Sequence, residues 1–290
     1  LFKYLLALMT KRFCFLSILF LFTACSYSQQ EADKAAPDYS NWVVLTQGME
    51  YREVAAPQKS FIGDSKISIL RMDPQQFRFD LFSATQHDSI SRNLYTWADT
   101  FDLLVSFNAG MYNLAKPLQS RAYLQNGKHY NNPNLLENFN LMLALGPKAN
   151  TNRSNIEILD LTCANWQQEQ QNFTGFAQGL RMIDCNGNPM FWKKKIQSCS
   201  MLVAAEDEKG WFYLIFTRSP YTHNQMISFM TAMPYGLHDA IYLEGGPETS
   251  LLIDVNGHCI EKVGSWVSTT WERDDNNHFW RLPNIVGVRR

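Results

Sequence analysis

Short segments in which β-branched and aromatic residues alternate with polar ones recur along most of this chain. That pattern predicts strands at 42–45, 67–71 and 77–83. An uninterrupted apolar run at 103–107 has the form of a strand buried on both faces, and further strands are predicted at 140–145, 156–159, 201–205 and 211–216. Between the last two, Glu206-Asp207-Glu208-Lys209-Gly210 has the polar, glycine-closed form of a hairpin loop. Helical periodicity occurs at 94–100, with Ser91 as the expected N-cap, and at 223–233, where Met226, Ile227, Met230 and Met233 form one apolar stripe. Thr222 is the expected N-cap of that second helix and Pro234 its stop. A methionine stripe at this spacing is read as packing surface. Many strands with few helices predict a single α+β domain, a mostly antiparallel or mixed sheet with a few packed helices.

The first residues follow a different pattern. Lys11 and Arg12 precede an apolar run at 13–22, shorter than the roughly 20 residues a spanning helix needs. The run ends in Leu21-Phe22-Thr23-Ala24-Cys25, which has the form of a lipobox, so lipidation is expected at Cys25. Residues 1–25 are therefore read as a lipoprotein signal sequence, with Met9 as the expected start of translation. Residues 26–40, poor in large apolar side chains, are read as a flexible tether. Residues 41–290 are left as the folded domain. The expected location is the periplasm or cell surface, with the chain held to a bacterial membrane through lipid on Cys25.

Composition narrows the function classes. A chain of 290 residues with 46% hydrophobic and 18% charged residues can bury a large core, and a net charge of −1 provides no footprint for nucleic acid. Lys193-Lys194-Lys195 is short enough to be a solvated turn. With Cys14 and Cys25 assigned to the signal, Cys163, Cys185, Cys199 and Cys259 remain, and in an oxidising compartment they allow three full pairings. None has metal-type Cys-x-x-Cys spacing, so no metal or other cofactor is expected, although Asp254 or Asp239 has the donor type for a structural calcium ion.

Three segments carry candidate chemistry. In Phe107-Asn108-Ala109-Gly110-Met111-Tyr112-Asn113 a buried strand ends in a turn, where Gly110 permits close backbone approach and Asn108 offers a donor and an acceptor. In 216–223, Arg218 and Ser219 precede a capped helix whose N-terminus and His223 face an anion-binding position. In 240–250 an apolar strand runs into Glu244-Gly245-Gly246-Pro247-Glu248, and paired carboxylates are the usual equipment for acid–base work at a glycosidic centre. Taken singly, each segment also reads as an ordinary turn, helix cap or hairpin.

Taken together, and in this order, the segments resemble the phosphodiester glycosidase family, in particular a bacterial branch first described only as a domain of unknown function. The resemblance rests on Asn108 to Tyr112, on 176–183 with Gln178, on 216–233, on Leu243 to Gly246 and on a closing strand at 283–287, and it spans 60–290. The chain departs from the family's animal members in having Glu244-Gly245-Gly246-Pro247-Glu248 in place of Asp followed by Gly-Gly-Gly-Ser. It also has Gln197-Ser198-Cys199-Ser200 where many members have an Arg-Thr segment.

The resemblance implies an exported hydrolase that cuts the bond between an anomeric carbon and a phosphate oxygen in an envelope or environmental glycan. Glu244 is then expected to act on the anomeric centre and Arg218 to bind phosphate, while Asn108 and Glu248 orient sugar hydroxyls or water. Gly110, Tyr112, Arg121, Gln178, Ser219, His223, Gly245 and Gly246 are the expected substrate-binding set. Two other readings compete: a non-catalytic surface lipoprotein that holds a glycan, and a phosphodiesterase that cuts on the far side of phosphorus.

Overall fold

The computed structural model describes residues 37–113, 115–193 and 197–290. The segment read as a signal sequence, with Cys14 and Cys25, most of the segment read as a tether, and Lys194 and Lys195 lie outside the described residues. In chain order the first elements are β1 (Val43–Thr46), β2 (Met49–Ala55), β3 (Lys66–Met72), β4 (Arg78–Ser83), α1 (Leu94–Phe101), β5 (Val105–Asn108), β6 (Tyr112–Asn113) and β7 (Lys116–Ser120). Then come β8 (Leu124–Asn126), β9 (His129–Asn132), β10 (Leu141–Pro147), β11 (Ile156–Asp160), α2 (Trp166–Asn172), β12 (Phe173–Ile183) and β13 (Ser198–Asp207). The last are β14 (Phe212–Thr222), α3 (His223–Thr231), β15 (Leu237–Gly245), β16 (Ser250–Val255), β17 (His258–Val263) and β18 (Asn284–Arg289).

Two antiparallel sheets face each other. The larger has the order β1-β2-β3-β14-β13-β15-β12-β10-β11, with β8 and β9 joined to β12, and the smaller has the order β17-β16-β5-β18-β4. Their inner faces share one core, in which Leu202, Leu214, Phe216, Ile241 and Leu243 of the larger sheet meet Val105, Phe107, Leu251, Ile253 and Val286 of the smaller. The larger sheet's outer face is covered by Met226, Ile227 and Met230 of α3, packed on Ile69, Met201, Val203 and Ile215. The smaller sheet's outer face is covered by Leu94 and Trp97 of α1 against Phe82, Leu252 and Ile285. Burial on both faces explains why β13 and β14 read as continuous apolar runs instead of alternating. The described residues are thus predominantly β, and the three α-helices among them are accessories on the outer faces of two sheets.

Several boundaries differ from the sequence reading, each for a local reason. The N-cap of α1 is Asn93, whose side chain accepts from the Thr96 amide at 2.9 Å. Ser91 is too early, because Arg92 is still extended and bridged to Leu282. Thr222 does cap α3, in a reciprocal capping box with Gln225, and the helix ends at Thr231, before Met233 and Pro234. Of the possible cysteine pairings, Cys163–Cys185 forms. Cys259 is exposed and Cys199 is buried beside Tyr242. Asp254 is exposed on β16 and belongs to no metal-type cluster among the described residues.

Candidate active site at the crossing between the sheets

The chain passes from one sheet to the other between β15 and β16, and both glutamates of the third segment lie there. Glu244 is the penultimate residue of β15, and Glu248 sits in the short turn that leads to β16. This turn is pinned from the smaller sheet by Asn108 at the end of β5. Its Nδ2 donates to the Glu248 carbonyl at 3.0 Å, and its Oδ1 accepts from the Ser250 amide at 2.7 Å. Asn108 is 2% exposed, so its amide holds the turn in place and does not reach sugar hydroxyls, the role expected from sequence. The segment after β17 closes over the same turn: Asn276 Nδ2 donates to Pro247 O at 3.2 Å and to Gly264 O at 2.7 Å.

The two glycines of the turn are required by this packing. A Cβ on Gly245 would lie 2.1 Å from the Tyr242 hydroxyl and 2.9 Å from the Cys199 sulfur, and Gly246 has φ +82° with Val267 against it. Protein atoms, not an approaching ligand, therefore account for both. Gly110 differs: at φ +149° the nearest atom its Cβ would meet is Gln178 O at 3.7 Å, so backbone conformation is what selects glycine there.

Around the glutamates the electrostatics are unusual. Glu244 is 8% exposed, and among the described residues its Oε1 accepts from the neighbouring Gly245 amide alone, at 3.0 Å. Burial, and next the negative charge of Glu248, push its pKa up to about 8, while Arg121 pulls the other way. Glu248 is also raised by burial, but its Oε1 accepts a hydrogen bond from the Tyr112 hydroxyl at 3.2 Å, which favours the ionised form. Tyr112 itself is held protonated by burial and by the charges of Glu248 and Glu244. The surroundings thus act unequally on the two carboxyl groups: Glu244 is pushed up to about 8, while the Tyr112 hydrogen bond to Glu248 favours the ionised form of that group. Arg121 is exposed, and its guanidinium makes no hydrogen bond among the described residues.

Other residues expected at the site are committed elsewhere. Arg218 donates to Val263 O at 3.0 Å and Asp274 O at 3.2 Å, and pairs with the Asp274 carboxylate at 2.7 Å. It lines a cavity of about 190 Å³ with Lys66 and Lys262, and neither glutamate borders that cavity. Arg218 is thus a strut for the segment that covers the turn, which speaks against the phosphate-binding role read from sequence. Gln178 spends its whole amide on backbone: Oε1 accepts from Tyr123 N and Leu136 N, and Nε2 donates to Leu136 O and Phe139 O. Ser219 Oγ accepts from Ser65 N at 2.7 Å and donates to Asp64 at 3.1 Å, and so fastens the 60–66 segment.

His223 is buried in a stack on Trp192, with ring centroids 3.9 Å apart, and packs edge-on to Tyr242 at 4.8 Å. Tyr242 in turn feels the charges of Glu244 and Glu248, so the stack reaches the edge of the site. Trp192, Tyr242 and Cys199 were absent from the sequence-based set. Trp192 lies in a loop without periodicity, Tyr242 has the pattern of a core strand position, and nothing local marks either one.

A family model described as phosphodiester glycosidase matches residues 102–289, which include Asn108, Tyr112, Arg121, Glu244 and Glu248. The chain belongs to the phosphodiester glycosidase family. Two solved structures share its fold. A hypothetical protein from Synechocystis aligns with a TM-score of 0.56 at 11% identity, over 89% of this chain and 64% of its own, so this chain spans just under two thirds of that protein. The zebrafish N-acetylglucosamine-1-phosphodiester alpha-N-acetylglucosaminidase catalytic domain, auto-inhibited by its pro-peptide, aligns with a TM-score of 0.55 at 11% identity over 88% of each chain. No curated protein sequence matched. At such identities the family and the fold are shared, and any chemistry must be argued from this chain's own residues.

Proposed function

We propose that this member of the family is an active hydrolase that cleaves sugar-1-phosphodiesters between the anomeric carbon and the phosphate oxygen. The observation that carries the proposal is the Glu244–Glu248 pair. Burial and mutual charge keep one carboxyl protonated near neutrality, and Tyr112 favours ionisation of the other. In this reading Glu248 takes a proton from water as the hydroxyl adds to the anomeric carbon. Glu244 gives its proton to the phosphate oxygen as the carbon–oxygen bond breaks. Arg121, which is exposed and next to Glu244 in charge, takes over phosphate binding from Arg218. Asn108 is a positioning residue that fixes Glu248 through its carbonyl.

Export is part of the proposal. The Cys163–Cys185 bond supports an oxidising compartment, and a lipid on Cys25 would keep the site near envelope glycans that contain such linkages. The zebrafish neighbour's name specifies an N-acetylglucosamine-1-phosphodiester, so that compound leads the substrate panel.

The test is incubation of the purified protein with sugar-1-phosphodiesters, with free sugar and phosphomonoester quantified separately. Wild type is expected to release free sugar, and Glu248→Gln to lose about 10²–10⁴-fold in kcat. Release of sugar phosphate would move the cut to the other side of phosphorus. Saturable binding with no product across the panel would make the chain a glycan-binding protein.

A further inference from the structure

The two central strands that place Glu244 at one end carry a second cluster at the other. Glu206 near the end of β13 is opposite His238 near the start of β15, and Asp239 follows. One donor atom from each of the three lies within 4.8 Å of the others. His238 Nδ1 is 2.7 Å from Asp239 Oδ2. Asp239 is 7% exposed, and its second oxygen, Oδ1, is buried without a hydrogen-bond partner among the described residues. Glu206 is half-buried and accepts from the Ile158 amide at 3.0 Å. A buried carboxylate oxygen with no donor is costly, about 1–3 kcal/mol or more, and needs a ligand to account for it.

We propose that Glu206, His238 and Asp239 bind one divalent transition-metal cation, with Zn²⁺ the preferred ion. One imidazole nitrogen with two carboxylates is a donor set for zinc-class ions, whereas calcium and magnesium take oxygen. Metal–donor bonds of about 2.0–2.2 Å require only a small closure of the existing spacing. Asp239 Oδ1 becomes a ligand atom, which answers its lack of a partner. Charge also balances, because two ionised carboxylates and a divalent ion leave the buried cluster neutral.

In the metal-free protein, protons take the cation's place. Burial, aided by the charges of Asp239 and Glu157, holds the Glu206 carboxyl up to about 8, with His238 and the Ile158 amide opposing. His238 is raised by its bond to Asp239. His238 borders a cavity of about 470 Å³ with Gly187, Glu208 and Leu237, which gives the ion an entry path and a position for a water ligand.

The test is calorimetric titration of the chelator-treated, tag-free full chain with ZnCl₂, followed by MnCl₂, CaCl₂ and MgCl₂. A Cys259→Ser background removes the exposed thiol that neighbours His258. One Zn²⁺ per chain is expected, with Mn²⁺ weaker, and calcium and magnesium unable to compete. Asp239→Asn and His238→Ala should each weaken binding by more than about 100-fold, beyond the 10–100-fold typical of outer-shell partners. Glu206→Gln copies the protonated carboxyl, so it should melt like wild type without metal and gain no stability from Zn²⁺. Three results would overturn the proposal: no saturable Zn²⁺ binding, equal affinity in all variants, or preference for calcium. None of them bears on Glu244, at the far end of the strands.

Discussion

Replacing Glu244 by Gln should make the protein more stable and less active at the same time. In the unfolded chain this carboxyl ionises near 4.5, whereas in the folded protein it does so near 8. Between those values the folded state holds a proton that the unfolded state has released. Stability is therefore greatest at or below pH 4.5 and declines as pH rises to about 8. The slope from one such group is about 1.4 kcal/mol per pH unit, and the full window amounts to about 5 kcal/mol. At pH 7 roughly 3 kcal/mol of that has been lost. Glutamine is the shape of the protonated acid and does not ionise, and its oxygen can still accept from the Gly245 amide. Urea unfolding of both proteins at pH 5 and pH 7.5 measures the difference directly. The Glu244→Gln variant should show the shallower pH dependence and a gain of up to about 4 kcal/mol at the higher pH, while hydrolysis falls through loss of the proton donor. If the two proteins show the same pH dependence of stability, Glu244 is not held protonated and its role as an acid is refuted.

Four other outcomes follow from the same geometry. Tyr112→Phe removes the hydrogen bond that favours ionised Glu248, so the acidic limb of the kcat/KM profile should move to higher pH; an unmoved limb would detach Glu248 from catalysis. Arg121→Ala should raise KM by ~10–100-fold with unchanged unfolding, the loss of about 1.5–3 kcal/mol of charge-assisted bonding to phosphate. Arg218→Ala should cost about 1–3 kcal/mol of stability by freeing the segment that covers the turn, and equal KM effects from the two arginines would contradict the assignment. Breaking the Cys163–Cys185 bond, which joins residues 22 apart in sequence, should lower stability by about 3 kcal/mol in denaturant, with little change in turnover.

What the sequence made legible follows the range of each interaction. The β13–β14 hairpin with its 206–210 loop and the capping box at Thr222 are encoded within a few residues, so periodicity and cap chemistry found them. The pairing of β16 with β5 and of β12 with β15 joins segments far apart in sequence, and β16 and β17 went unread. At the site, the Glu-Gly-Gly-Pro-Glu sequence was a visible signal, but its neighbours' duties were not. Gln178 bonds to backbone some 40 positions away, and Arg218 to the carbonyl and carboxylate of a residue 56 positions on, so both looked available when read locally. Asn108 looked like a ligand for sugar because the turn it holds is 140 positions distant.

The crossing from β15 to β16 has an evolutionary consequence. Glu244 belongs to one sheet, while Glu248 is moored by Asn108 to the other, so the gap between the proposed acid and base is a dimension of the hydrophobic sandwich and not of a loop. Substitutions at Leu243, Phe107 or Leu251, remote from any reacting atom, would widen or narrow that gap by adjusting the spacing of the two sheets. A lineage could therefore retune the reach between its carboxylates, and with it the stereochemical course open to them, by drift in greasy residues while every catalytic side chain stayed the same.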